Sequence, residues 1–151
     1  MTQDDNDKQK LIRVIVCRPG EHAKTRAIED KLEMMQWLVG GPIEEYMPFD
    51  GDDPREEDIA IICNEEGKLR GLPLNRSVKD KDGHVQDIIV GTFFICYAPL
   101  ESESFESLPP DLEEKYLKKF EHPEHFFRTE KGIVSIHYEP DILMPEPEMG
   151  R

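Results

Sequence analysis

The chain carries little that reacts. Its 151 residues include only three cysteines, an odd number, and no CxxC pair, which excludes a thioredoxin-like dithiol and a zinc site built on cysteine. There is no GxSxG elbow to present a nucleophilic serine and no GxxxxGK[ST] loop to cradle a phosphate chain. Positive charge is scarce, with 19 lysines and arginines against 33 acids and a formal net charge of −14. Phosphate contacts demand a basic footprint, so direct binding to nucleic acid is not expected. Long apolar runs are missing as well, and nothing approaches the ~20 residues of a membrane-spanning helix. The polar opening Met1 to Lys10 has no signal-peptide core. The expectation is a cytoplasmic, reduced protein that makes no use of a membrane, a cofactor or a bound metal ion.

What remains is enough for one ordinary domain with a sizeable core. Charged residues make up 34% of the chain, above the usual ~25%. That excess belongs in tails, loops and solvated faces, where it keeps the protein soluble. Each cysteine closes an apolar run, Ile15-Val16-Cys17, Ile61-Ile62-Cys63 and Phe94-Ile95-Cys96, a position suited to a small buried hydrophobe.

The pattern predicts strands at Leu11 to Cys17, Ala23 to Glu29, Ile43 to Phe49 and Ile59 to Cys63. Glu65-Glu66-Gly67 is read as a turn leading into a hairpin partner at Lys68 to Leu74. Val85 to Ala98 is read as one strand with a bulge or a close backbone approach at Gly91, and Gly132 to Tyr138 as the last strand. Asp30 as N-cap opens a first helix that Gly40-Gly41 stops. Met34, Met35 and Trp37 on that helix are expected in the core rather than on a partner-binding face. The acidic tract Asp50 to Asp58 reads as a loop. A second helix spans Ser107 to Phe120, with acids early and Lys118-Lys119 late to complement its dipole. Residues 1–10 read as a disordered tail, 11–138 as one domain and 139–151 as a proline-rich acidic tail. Strands with two separated helices give an α+β fold, a mostly antiparallel sheet with two packed helices.

One stretch stands out by charge. From Lys68 to Asp82 there are five basic residues against two acids, whereas Glu44 to Glu66 holds ten acids against Arg55 alone. A positive loop inside an acidic chain is a place for an anion or for an acidic patch on a partner. Gly67 and Gly71 allow backbone N–H groups to approach a ligand. Lys68, Arg70 and Arg76 supply charge, and Arg76 can grip a carboxylate or phosphate in bidentate fashion. Asn64, Asn75 and the Thr92 hydroxyl complete the expected ligand- or partner-binding set. The same residues also suit a glycine-punctuated hairpin that balances the acidic loop, with Asn64 and Asn75 as turn residues. His122 and His125 lie three apart with Pro123 between them and lack an obvious third ligand, so no metal site is expected there. The acidic pairs Glu44-Glu45, Glu56-Glu57 and Glu65-Glu66 read as solvated faces, and no residue is assigned a catalytic role.

Three motifs, in order, also carry a resemblance. They are Leu32-Glu33-x-Met35-Gln36-x-Leu38-Val39-Gly40-Gly41-x-Ile43-Glu44, then Cys63-Asn64-Glu65-Glu66-Gly67-Lys68-Leu69 with Gly71-Leu72-Pro73-Leu74-Asn75-Arg76, then Asp87-Ile88-Ile89-Val90-Gly91-Thr92-Phe93-Phe94. Over Leu11 to Phe127 the chain resembles the domain-of-unknown-function family DUF3846, which is common in phages, plasmids and conjugative elements of Clostridia-like bacteria. The resemblance implies an accessory protein of mobile DNA and transfers no catalytic residue. The function expected is non-enzymatic binding of an anionic small molecule or a host protein, as in counter-defence. The alternative is an acidic mimic of nucleic acid that occupies a DNA-binding enzyme, and a small hydrolase or transferase is a weaker one.

Overall fold

The structure is a computed structural model and describes residues 10–140. Five strands form one antiparallel sheet: β1 (Leu11–Cys17), β2 (Lys24–Glu29), β3 (Ile43–Tyr46), β4 (Ile59–Asn64) and β7 (Phe93–Tyr97), in the order β2-β1-β7-β4-β3. Two hairpins pack around it, β5 (Leu74–Lys79) with β6 (Val85–Val90), and β8 (Glu124–Thr129) with β9 (Gly132–His137). Helix α1 (Leu32–Val39) and helix α2 (Pro110–Lys119) lie on opposite faces of the sheet. This is an α+β domain with two packed helices, as the strand and helix pattern predicts.

The apolar runs are continuous because the central strands are buried on both sides. Alternate residues on β1, β4 and β7 separate into two cores. Val14, Val16, Ile62, Phe94 and Cys96 meet Met35 and Val39 of α1. Ile15, Cys17, Ile61, Phe93 and Ile95 meet Leu112, Tyr116 and Phe120 around α2, with Val78 and Ile89 of the β5–β6 hairpin closing the same layer. Ile95 sits at the centre of the register, opposite Ile15 on one side and Ile61 on the other. Each such side chain contributes about 1.5–3 kcal/mol through burial.

Several expected elements are differently placed. Lys68 to Leu74 makes no strand, because residues 65–72 close on themselves through turn bonds such as Arg70 N–H to Glu66 O (2.9 Å) and Leu72 N–H to Gly67 O (3.0 Å). Leu74 instead begins a strand paired with β6. Gly91, at φ +73°, is no bulge within one strand: it ends β6 and passes the chain into β7 of the other sheet. Asp30 does not cap α1. Lys31 holds that position without a side-chain bond, and Asp30 pairs with Lys10 at 3.0 Å. Gly40, left-handed at φ +84°, does end α1 as expected. The hairpin strand β8 was absent from the sequence pattern, and the expected tails fall mostly outside the described residues.

The acidic tract Asp50 to Asp58 holds a short 3₁₀ helix, Pro54–Asp58, capped by the Asp53 carboxylate on Arg55 N–H. Its Glu56 is no solvated acid: it is buried, accepts from Tyr116 O–H at 2.5 Å and pairs with Lys115 at 2.6 Å. Burial acts to raise the Glu56 carboxyl, but the bonds from Lys115 and Tyr116 outweigh it and hold it below the ordinary range. Replacing Tyr116 with Phe leaves one oxygen of a buried carboxylate unpaired, and a loss of about 1–3 kcal/mol is expected in urea unfolding at neutral pH. Because the folded carboxyl binds its proton less readily than the unfolded one, its stabilisation is complete above about 4.5 and is lost as the pH falls further. Unchanged stability of Tyr116→Phe at neutral pH would refute this anchor.

Candidate functional site

The loop after β4 is built on Asn64. Its side-chain amide donates to Val39 O at the end of α1 (3.2 Å), and its Oδ1 accepts from Glu66 N–H (2.7 Å). Arg70 reaches the same helix end, donating from Nη1 to Gly40 O at 3.0 Å. This approach requires a glycine at 41, where a Cβ would stand 2.8 Å from Asn64 Nδ2 and 3.2 Å from Arg70 Nη1. Lys68 turns the other way and pairs with Asp87 at 2.7 Å, which raises its own pKa chiefly through that bond. The space beside buried Gly67 is filled by Val90, and Gly71 stands in the open.

Asn75 and Arg76 have left this surface altogether. The register between β5 and β6 slips between Leu74 and Arg76, and such a bulge re-aims side chains that would otherwise point to opposite faces. Both turn inward: Arg76 is 0% exposed and Asn75 is 1% exposed. Asn75 Nδ2 donates to Cys17 O (2.9 Å) and Gly91 O (2.7 Å), tying β1 to the crossing into β7. Arg76 donates from Nε to Phe120 O (2.9 Å), from Nη2 to Glu21 O (2.7 Å) and from Nη1 to Asn75 Oδ1 (2.8 Å), with longer contacts to Arg18 O and Glu121 O (3.4 Å each). Its donors face backbone, and any anion would have to displace them.

The expected set therefore divides. Arg70 and Thr92 meet in a hollow of about 310 Å³ between the end of α1 and residues 70–73, together with Trp37, Gly40 and Pro73. Asn64 and Lys68 line a neighbouring cavity of about 250 Å³ with Tyr46, Cys63 and Asp87. Asn75 and Arg76 lie beneath, as framework. Trp37 was expected in the core, but it is 72% exposed at the rim of the first hollow, while Met35 alone of the three is fully buried. Position on the helix carried the signal: Met35 and Val39 are four apart and face the sheet, and Trp37 falls between them on the outer side.

The thiols are poorly placed for nucleophilic work. Burial pushes Cys17 up to about 12 and Cys63 up to about 11, and it raises Cys96 as well. A neutral thiol is a weak nucleophile.

The profile of the domain of unknown function DUF3846 matches residues 12–121, more than half of the chain. The chain belongs to the DUF3846 family. No curated protein and no solved structure matches it significantly. In this DUF3846 protein all eight expected residues fall inside the matched region, and three of them (Asn64, Asn75 and Arg76) make buried hydrogen bonds to backbone carbonyls. Among the described residues, two groups bring metal-capable atoms together, His22 with His122 and Glu139, and Asp80 with Asp82 and His84. The second is an exposed turn in which Asp80 Oδ1 accepts from the backbone N–H of Asp82 and of His84.

The burial of Arg76 gives a direct expectation. Arg76→Ala removes the donor to Phe120 O, Glu21 O and Asn75 Oδ1 and is expected to cost roughly 3 kcal/mol in thermal or urea unfolding, with Arg76→Lys recovering only part because an ammonium lacks the planar fork. An Arg76→Ala protein as stable as the parent would return this side chain to the ligand-binding set.

Proposed function

We propose that this protein is a non-enzymatic binding protein, an accessory of mobile DNA that sequesters an anionic small molecule or blocks a host factor, as counter-defence would require. The observation that carries the reading is the hollow shared by Trp37, Arg70 and Thr92. An indole that is 72% exposed leaves a large apolar surface in water, and covering it with a bound group is favourable. Tryptophan and arginine are the residues most enriched where binding energy concentrates. Arg70 spends one bond on Gly40 O, and the guanidinium of this exposed residue keeps further N–H donors for a carboxylate or phosphate. The loop that carries it is braced by its own turn bonds and by Asn64, so little order is lost on binding.

Native mass spectrometry of the protein purified gently from a bacterial lysate tests this. The expected result is a bound mass, either a few hundred daltons or a host polypeptide, that is absent from Trp37→Ala and from Arg70→Glu. Trp37→Ala is expected to change stability by no more than about 0.5 kcal/mol, since the side chain is largely solvated. A bound species retained by both variants, or none on the parent protein, would overturn the reading.

A further inference from the structure

We propose that His22, His122 and Glu139 form a binding site for one divalent transition-metal ion, with zinc the best chemical match. The three come from separate segments: the turn between β1 and β2, the residues just after α2, and the chain just past β9. His22 Nε2 lies 3.0 Å from Glu139 Oε1, His122 Nε2 lies 2.5 Å from Glu139 Oε2, and all the ligand atoms lie within 4.8 Å of one another. The two imidazoles meet edge to face, with centroids 5.2 Å apart. A zinc ion with ~2.0–2.1 Å bonds in tetrahedral geometry holds its ligand atoms about 3.3 Å apart, so the two carboxylate contacts need to open by only about 0.3 and 0.8 Å.

The placement is built rather than incidental. Arg76 Nη2 contacts Glu21 O and Glu121 O, the carbonyls immediately before the two histidines. Ala23 N–H donates to Glu121 O at 2.9 Å, which locks the two segments to each other, and Tyr138 N–H donates to Pro123 O at 3.0 Å, which sets the approach of Glu139. The His122 ring is further packed against His137, nearly parallel to it at 6.0 Å. A buried guanidinium therefore pre-positions two imidazoles that lie 100 positions apart in sequence.

Donor chemistry selects the ion. Two imidazoles and a carboxylate suit zinc and its neighbours, whereas calcium and magnesium prefer oxygen ligands throughout. Without a metal, the carboxylate satisfies both rings by accepting from their Nε2–H groups, and an ion would take the place of those two protons. Three protein ligands leave one position open, and the Glu139 side chain, 70% exposed, lets water or a ligand's donor atom reach it. Both His122 and Glu139 lie beyond the residues matched by the family profile.

The test is calorimetric titration of the full chain with zinc chloride. One ion per chain is expected, with binding weakened at least tenfold in His122→Ala and in Glu139→Gln and unchanged in His84→Ala. Glu139 lies outside every strand and helix, so Glu139→Gln leaves the folded core intact and its result is readable. Cobalt(II) offers a second readout, an intense visible absorption band from a four-coordinate ion, absent in Glu139→Gln. No stoichiometric binding by the parent protein, or full binding by both site variants, would overturn the proposal. So would loss of binding in His84→Ala alone, which would put the ion at the Asp80–His84 turn.

Discussion

A single buried guanidinium holds the fold together at its seam. Arg76 joins three parts of the chain that share no strand pairing: the β5 strand that carries it, the turn after β1 through Glu21 O, and the end of α2 through Phe120 O. Taking a cation out of water is expensive, and among the described residues no carboxylate lies close enough to form an ion pair with it. Burial accordingly pulls its pKa down from the usual arginine value, but arginine stays charged at neutral pH. Two things offset the cost. Backbone carbonyls and Asn75 Oδ1 replace the lost water dipoles, and the protein's net charge of −14 supplies a negative potential over the whole molecule. The acidity that looks like bulk solubility also favours a lone positive charge at the centre.

How much of this was legible follows from which interactions are local. The strands β1, β4 and β7 showed in the sequence because burial on both faces writes an unbroken apolar run, and Gly40 showed because a helix end needs a left-handed residue. Charge clustering drew attention to the stretch from Lys68 to Asp82 and gave its two arginines the same role. Arg70 and Arg76 differ by where they point, and that depends on a register slip at Asn75 and on carbonyls far along the chain. Gly91 misled for a related reason: an apolar strand, a glycine and another apolar strand look alike whether the chain continues in one sheet or changes sheets. Strand β8, largely exposed, left no burial pattern to find.

The histidines show the same limit from the other side. A rule about spacing looked for a partner of His122 at His125, three residues on. His125 instead stacks on Tyr138, with centroids 3.9 Å apart, while His122 meets His22 from the opposite end of the chain. Ligand sets that span a tertiary contact have no local spacing to read. What announces them is the framework that brings the segments together, here the carbonyls before each histidine converging on one arginine.

Asn75 and Arg76 thus serve two surfaces from adjacent positions. Asn75 fixes Gly91 O, at the edge of the hollow that holds Trp37 and Thr92. Arg76 fixes the carbonyls beside His22 and His122. The two side chains are joined by their own hydrogen bond, so the hollow and the histidine cluster are referenced to one rigid centre rather than to separate loops. Binding at a surface held this way costs little conformational entropy, because the groups that would otherwise have to be ordered are ordered already by folding. The stretch first marked by its positive charge therefore divides in its roles: Arg70 faces the solvent, and Arg76, buried beneath, holds the neighbouring segments together.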